Sequence, residues 1–157
     1  MTAALTPQDK YDRKAQRMLE KLNTMQLGTA KNFVAKDFQK MVRLESIEAD
    51  GLVSCVTCSW RGSHKQCDGG HFVSRDFNAT VFNLWNCHVQ CKNCNGHLHG
   101  NLSVYRPFMV ERYGESTVKA LESLKKSDKR FTREELVELR MGFRQRIAEL
   151  EEFLRLE

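Results

Sequence analysis

Two thiol pairs constrain this chain more than any other feature. Cys55-x2-Cys58 and Cys91-x2-Cys94 are separated by 32 residues, and all six cysteines and five histidines lie between Cys55 and His99 of a 157-residue sequence. Four thiolates in two short knuckles suit one tetrahedral divalent ion. One pair alone would read equally well as a redox motif, but two pairs flanking one segment favour structural Zn²⁺. The gap between them is longer than in a minimal zinc ribbon, so the metal is expected to staple the base of a larger inserted unit. Cys67 and Cys87 stand outside the pairs and are expected as small buried apolar residues.

The flanking segments carry helical periodicity. Thr6-Pro7 offers an N-cap with proline at the first helical position. Tyr11, Ala15, Met18, Leu22 and Met25 then recur on one helix face, with Gly28 as the stop. A second helix is expected over Ala30 to Ile47, with Phe33, Phe38, Met41 and Leu44 or Val42 inward. At the other end, Pro107 to Tyr113 reads as a short helix closed by Gly114, followed by Ser116 to Lys126. Thr132-Arg133-Glu134-Glu135 is a capping box, and Phe131 can staple onto Leu136. Leu136, Leu139, Phe143, Ile147, Leu150 and Leu154 form the stripe that follows. That stripe either packs on the chain's own core, the favoured reading, or makes a homodimer seam through the C-terminal helix.

Between the helical ends the periodicity changes. "LVSCVTCSW", "HFVSRDF" and "VFNLWNCHVQC" are compatible with strands, and "CNGHLHGNLSVYR" opens a short helix. The fold class is α+β: a mostly helical chain around a small metal-stapled core. The expected parts are a helical segment at 1–52, the stapled core at 53–106 and helices at 107–157, together one compact domain.

The formal net charge is +5, which points to a polyanionic partner. Residues 55–106 hold five Lys/Arg against two Asp/Glu. On this knob Arg61, Lys65, Arg75 and Lys92 are either solvated charges or a phosphate track, and Lys125, Lys126, Lys129, Arg130 and Arg133 form a second cluster. No signal peptide and no apolar run of membrane-spanning length is visible. A soluble, reducing compartment without membrane contact is expected.

Four thiolates need no histidine, so the imidazoles need their own reason. His71 follows Gly69-Gly70. Asn86 and His88, two apart, can share one side of a strand, and Asn95 and His99, four apart, can share one side of a helix. A strand imidazole facing a helical amide and imidazole is a layout for hydrolysis. His97 and His64 are expected in solvent and in a polar loop.

The order Gly-Gly-His, an Asn five residues before a cysteine, then C-x2-C-N resembles the zinc-stapled HNH, or ββα-metal, nuclease motif. The string "D-G-G-H-F … N-C-H-V-Q-C-K-N-C-N-G-H-L-H-G-N-L … Y-R" is similar to the NinG/Rap recombination proteins of lambda-like phages, over about residues 53 to 114 with a similar helical tail. The resemblance implies a metal-dependent DNA endonuclease acting on branched recombination intermediates, a Holliday junction or D-loop, in the cytoplasm of a bacterial host. It implies His71 as general base, Asn86 as the residue orienting the histidine's loop, and Asn95 at the third motif position. It also implies a catalytic Mg²⁺ or Mn²⁺ distinct from the zinc. Gly70 stands where many HNH enzymes carry a metal-binding Asp or His, and Asn95 where many carry His. Asp68, His88 and His99 are therefore further candidate ligands, Asp68 only if the strand bulges at Gly69-Gly70. The alternative function is a non-catalytic zinc module that binds nucleic acid.

Overall fold

The computed structural model describes residues 6–154. Helix α1 (Pro7–Asn23) starts from Thr6, whose hydroxyl accepts from the Asp9 amide while the Asp9 carboxylate accepts from the Thr6 amide. The break comes earlier than Gly28. The Thr24 hydroxyl closes α1 on the Lys21 carbonyl, and the Gln26 carbonyl already accepts from Ala30 to open α2 (Leu27–Glu45). Gly28 thus sits in the first turn of α2. The last helix, α5 (Arg133–Phe153), begins at the expected capping box of Thr132 and Glu135.

Helices α1, α2 and α5 share one core. Leu22, Val34, Phe38, Leu136, Met141, Phe143 and Ile147 are buried in it, with Phe131, Leu139, Leu150 and Leu154 packed at its margin. Each large side chain buried there stabilises the fold by about 1.5–3 kcal/mol. Arg140 is buried too; it pairs with Asp37 at 2.7 Å and lies 3.9 Å from the Phe33 ring centre. The α5 stripe therefore packs within the chain against α1 and α2, as its favoured reading expects.

The region between is built from two short antiparallel ladders. Strands β1 (Val53–Ser54) and β2 (Arg61–Gly62) pair across the first knuckle. Strands β3 (Cys67–His71) and β4 (Cys87–Cys91) pair without interruption from Cys67↔Cys91 to His71↔Cys87. The strand thus leads into His71 instead of leaving from it, and "HFVSRDF" is mostly loop. The Asn86 side chain takes the main-chain bonds of Val73 that a strand neighbour would have used. Strand alternation puts Cys67, Gly69 and His71 on the α2 side and Asp68 and Gly70 on the other. Cys67 and Cys87 are buried among apolar residues.

Helix α3 (Leu102–Tyr113) starts five residues before Pro107, which lies inside it, and ends at Gly114 with φ of 83°. Helix α4 (Glu115–Ser123) follows and tightens into a 3₁₀ turn at Leu124–Lys126. Phe72, Val73, Tyr105, Met109, Val118 and Leu121 form a second core between this pair and the β3–β4 hairpin. Among the described residues no helix is long and apolar enough to cross a membrane.

Candidate active site and metal cluster

The knuckles meet. The Sγ atoms of Cys55, Cys58, Cys91 and Cys94 all lie within 4.8 Å of one another, with Cys58 and Cys91 3.7 Å apart. Zinc–sulfur bonds of about 2.3 Å in a tetrahedron place sulfurs about 3.8 Å apart, so the donor set fits zinc. The Cys94 amide donates to the Cys91 sulfur and the Trp60 amide to the Cys58 sulfur, each at 3.4 Å. Burial opposes ionisation of Cys55, but hydrogen bonds from the Thr57 hydroxyl and from backbone amides outweigh it and bring this thiol down to about 7. These four cysteines could hold a metal such as zinc.

A cleft of about 240 Å³ opens beside the cluster, lined by His71, Asn95, His99, Ser74, Arg75 and Gln39 together with Gly69, Gly100 and Leu102. His71 ends β3, and its Nε2 lies 2.9 Å from the Val81 carbonyl. A carbonyl only accepts, so Nε2 carries the proton and, in the neutral ring, Nδ1 keeps the lone pair. Burial, with some help from the charge of Arg75, holds the imidazole below its usual pKa against the opposing pull of the Val81 carbonyl. The ring is therefore held toward its neutral form, with Nδ1 as the unprotonated nitrogen.

Asn86 does not face the cleft. It is fully buried, its Oδ1 accepting from the Val73 amide at 2.7 Å and its Nδ2 donating to the carbonyls of Val73 and Thr80. It pins both ends of the loop whose Val81 carbonyl orients His71. Asn95 lies in a wide turn, Asn93–His97, closed by the Leu98 amide on the Asn93 carbonyl five residues back. Its Nδ2 donates to Asp68 at 3.1 Å, which leaves Oδ1 as the atom available to a cation. His99 follows that turn, exposed, with φ of 48°, and Gly100 and Asn101 are also left-handed at 88° and 47°. Such a run is uncommon outside glycine and positions two lining residues here.

Two candidate ligands stand apart from His71. The β3–β4 register has no bulge, so Asp68 remains on the opposite side of β3, bonded by Lys92 and Asn95. His88 has both nitrogens engaged, Nδ1 2.9 Å from the Tyr105 hydroxyl and Nε2 2.8 Å from that of Tyr113. Tyr105 donates its proton to the Gly70 carbonyl, so His88 Nδ1–H must donate to Tyr105 and Nε2 must accept from Tyr113. Burial lowers the His88 pKa to about 4, keeping the ring neutral. This is a buried brace between β4 and α3, with no lone pair left for a metal.

Gly70 has a local cause. A Cβ built there would lie 2.0 Å from Gln90 Oε1. Gln90 is fully buried and fixed through Nε2 to the Thr57 hydroxyl and the Gly100 carbonyl. The space that a metal-binding side chain at position 70 would need is filled. Gln39 and Ser74 belong to the cleft but lie in a helix and a loop with no local sequence signature.

The basic residues divide. Arg75 borders the cleft and also donates to Asn32. Arg61 is paired with Glu48 and Asp50, Lys92 with Asp68 and Lys129 with Glu135, while Arg133 donates to the Leu22 carbonyl at the end of α1. Lys65, Lys125, Lys126 and Arg130 are exposed. His97 is exposed as well, and His64 is half-buried.

The model of the family described as Bacteriophage Lambda NinG protein matches residues 3–152. Among curated proteins, Protein ninG of Salmonella phage P22 and Protein ninG of Escherichia phage lambda are each 31% identical to the chain over 121 residues, or 76% of it. Protein ninG of Escherichia phage 933W is 30% identical over the same length. The chain spans 58–59% of the length of these relatives in the matched regions. No solved structure matches it. The match over nearly the whole chain, together with relatives at this identity, places the protein in the NinG family.

Proposed function

We propose that this protein is a divalent-metal-dependent DNA endonuclease whose general base is His71 and whose four-cysteine cluster holds a structural Zn²⁺. The observation that carries the reading is the state of His71, a neutral imidazole with Nε2–H committed to Val81 and Nδ1 left basic in a polar cleft. In phosphodiester hydrolysis Nδ1 takes a proton from water as that water's oxygen attacks phosphorus, and the 3′ oxygen departs. A hard ion such as Mg²⁺ or Mn²⁺, when bound, supplies charge stabilisation at the phosphate and the departing oxygen. Asn95 Oδ1 and His99 would hold it together with the substrate's own phosphate oxygens and water, the last two being usual ligands of such an ion. Arg75 at the cleft edge and the exposed lysines supply positive charge for the DNA backbone. Branched recombination intermediates, processed in the host cytoplasm, are the substrate class that the family resemblance supports.

The absence of any carboxylate from the cleft lining favours the alternative, a non-catalytic zinc module that binds nucleic acid. Incubation of zinc-loaded protein with supercoiled and branched DNA, with and without Mg²⁺ or Mn²⁺, separates the two. Metal-dependent strand cleavage is expected. Binding without cleavage under every metal condition would leave the non-catalytic module.

A further inference from the structure

Trp85 is 56% exposed, a large apolar ring presented to solvent beside the base-bearing strand. It lies in the 3₁₀ turn Leu84–Asn86, which the Asn83 side chain caps by accepting from the Trp85 amide at 2.8 Å. The next residue, Asn86, accepts through its carbonyl from Phe72, the residue after His71. Trp85 thus stands at the end of the hairpin where β3 delivers His71.

The ring is backed. Its centroid is 6.1 Å from that of Tyr113, at an interplanar angle of 28°. Tyr113 is itself held in place, since its hydroxyl donates to His88 Nε2 and accepts from Arg112 Nε at 3.1 Å. From there the chain runs through His88 and Tyr105 to the Gly70 carbonyl, next to His71. The Arg112 guanidinium carbon lies 5.5 Å from the Tyr113 ring centre, and Arg112 forms no ion pair among the described residues. An exposed indole, a fixed phenol behind it and an unneutralised cation alongside match what an unstacked base and its phosphate require.

We infer that Trp85, backed by Tyr113 and flanked by Arg112, is a stacking platform for an unpaired nucleobase of the DNA substrate. Fully paired duplex has no base to offer it. A fork, flap or D-loop does, so the platform selects DNA with unpaired bases. This inference rests on the nuclease reading and goes beyond it by naming the feature of the substrate that is gripped.

The test measures affinity for a forked DNA carrying unpaired thymines and for a uniform duplex of equal charge, without added Mg²⁺ or Mn²⁺ so that no strand is cut. Wild type, Trp85→Ala and Trp85→Phe are compared, with tryptophan fluorescence recorded on the wild type. Fork binding should weaken about five- to a hundredfold in Trp85→Ala, the range for losing one stacked base, with a smaller loss in Trp85→Phe and duplex affinity unchanged. The fork should quench tryptophan emission more than the duplex does. Retention of the fork preference by Trp85→Ala, or equal quenching by the two DNAs, overturns the platform while leaving the nuclease reading standing. Failure of the wild type to bind either DNA overturns both. Should Trp85→Ala not fold, Trp85→Phe and the quenching comparison decide.

Discussion

At position 70 the chain has room for no side chain, and this sets the chemistry available next to His71. In Gly70→Ala the new methyl group would have to displace Gln90 from its bonds to Thr57 and Gly100. Overpacking of this kind costs about 1–3 kcal/mol. Chemical denaturation should show that loss, and Gly70→Ala combined with Gln90→Ala should lose less than the two separate losses added together. The same face explains His88. Its pairing with Tyr113 and Tyr105 requires the neutral ring, with a pKa of about 4 against an ordinary value of 6.5. Between those values the unfolded chain binds the extra proton and the native one does not, so stability falls as pH drops from about 6.5 toward 4. Above pH 6.5 this contribution is fully present. Ring-resolved NMR should find His88 neutral at pH 5, with wild type losing more stability than His88→Gln between pH 7 and 5 at saturating zinc. Equal losses would contradict the brace. His71 was legible in the sequence because Gly-Gly-His is a local string. The commitment of His88 was not, because Tyr105 and Tyr113 come from a helix 17 and 25 residues away.

Helix ends are legible in the sequence where side chains cap them. Thr6 and Thr132 start α1 and α5 as their spacing indicates, because a hydroxyl accepting from an amide three residues on is a local event. Gly28 is not the stop its type suggests, because the Thr24 hydroxyl already closes α1 on the Lys21 carbonyl. Pro107 does not open a helix either: α3 starts at Leu102 and carries it inside. The strand expected after His71 is a loop for a tertiary reason, the buried Asn86 amide that replaces a neighbouring strand. Asn86→Ala would leave the Val73 amide and carbonyl buried without partners, at a cost of about 3 kcal/mol, while the Thr80 carbonyl keeps its bond from the Asn83 amide. Hydrogen exchange at Val73 should accelerate, and cleavage should fall because the Val81 carbonyl no longer fixes the His71 tautomer. Unchanged exchange would show that the loop holds itself.

Across the whole molecule, the two ends of the sequence form one helical core and the cysteine-rich segment lies against it through α2. Such long-range contacts, Asp37 with Arg140 and Lys40 with Glu151 among them, leave no local trace in the chain. The cysteine cluster was legible because its spacing carries its chemistry. Purified protein should contain about one zinc per chain, and Cys91→Ser should lose the metal and much of the fold, since binding and folding are coupled at such sites. Metal analysis finding no zinc in folded, active protein would remove the staple.

The most direct measurement is a cleavage-rate titration with Mg²⁺ or Mn²⁺ for wild type, His71→Ala and Asn95→Ala, with zinc content, fold and DNA affinity verified for each. His71→Ala should lose about two to four powers of ten in rate at every metal concentration, the span for a missing general base. Asn95→Ala should recover in part as metal is raised, because it lacks a ligand and not the base. If His71→Ala, folded and zinc-loaded, cuts at the wild-type rate, His71 is not the base, and the assignment of this cleft as a nuclease site fails.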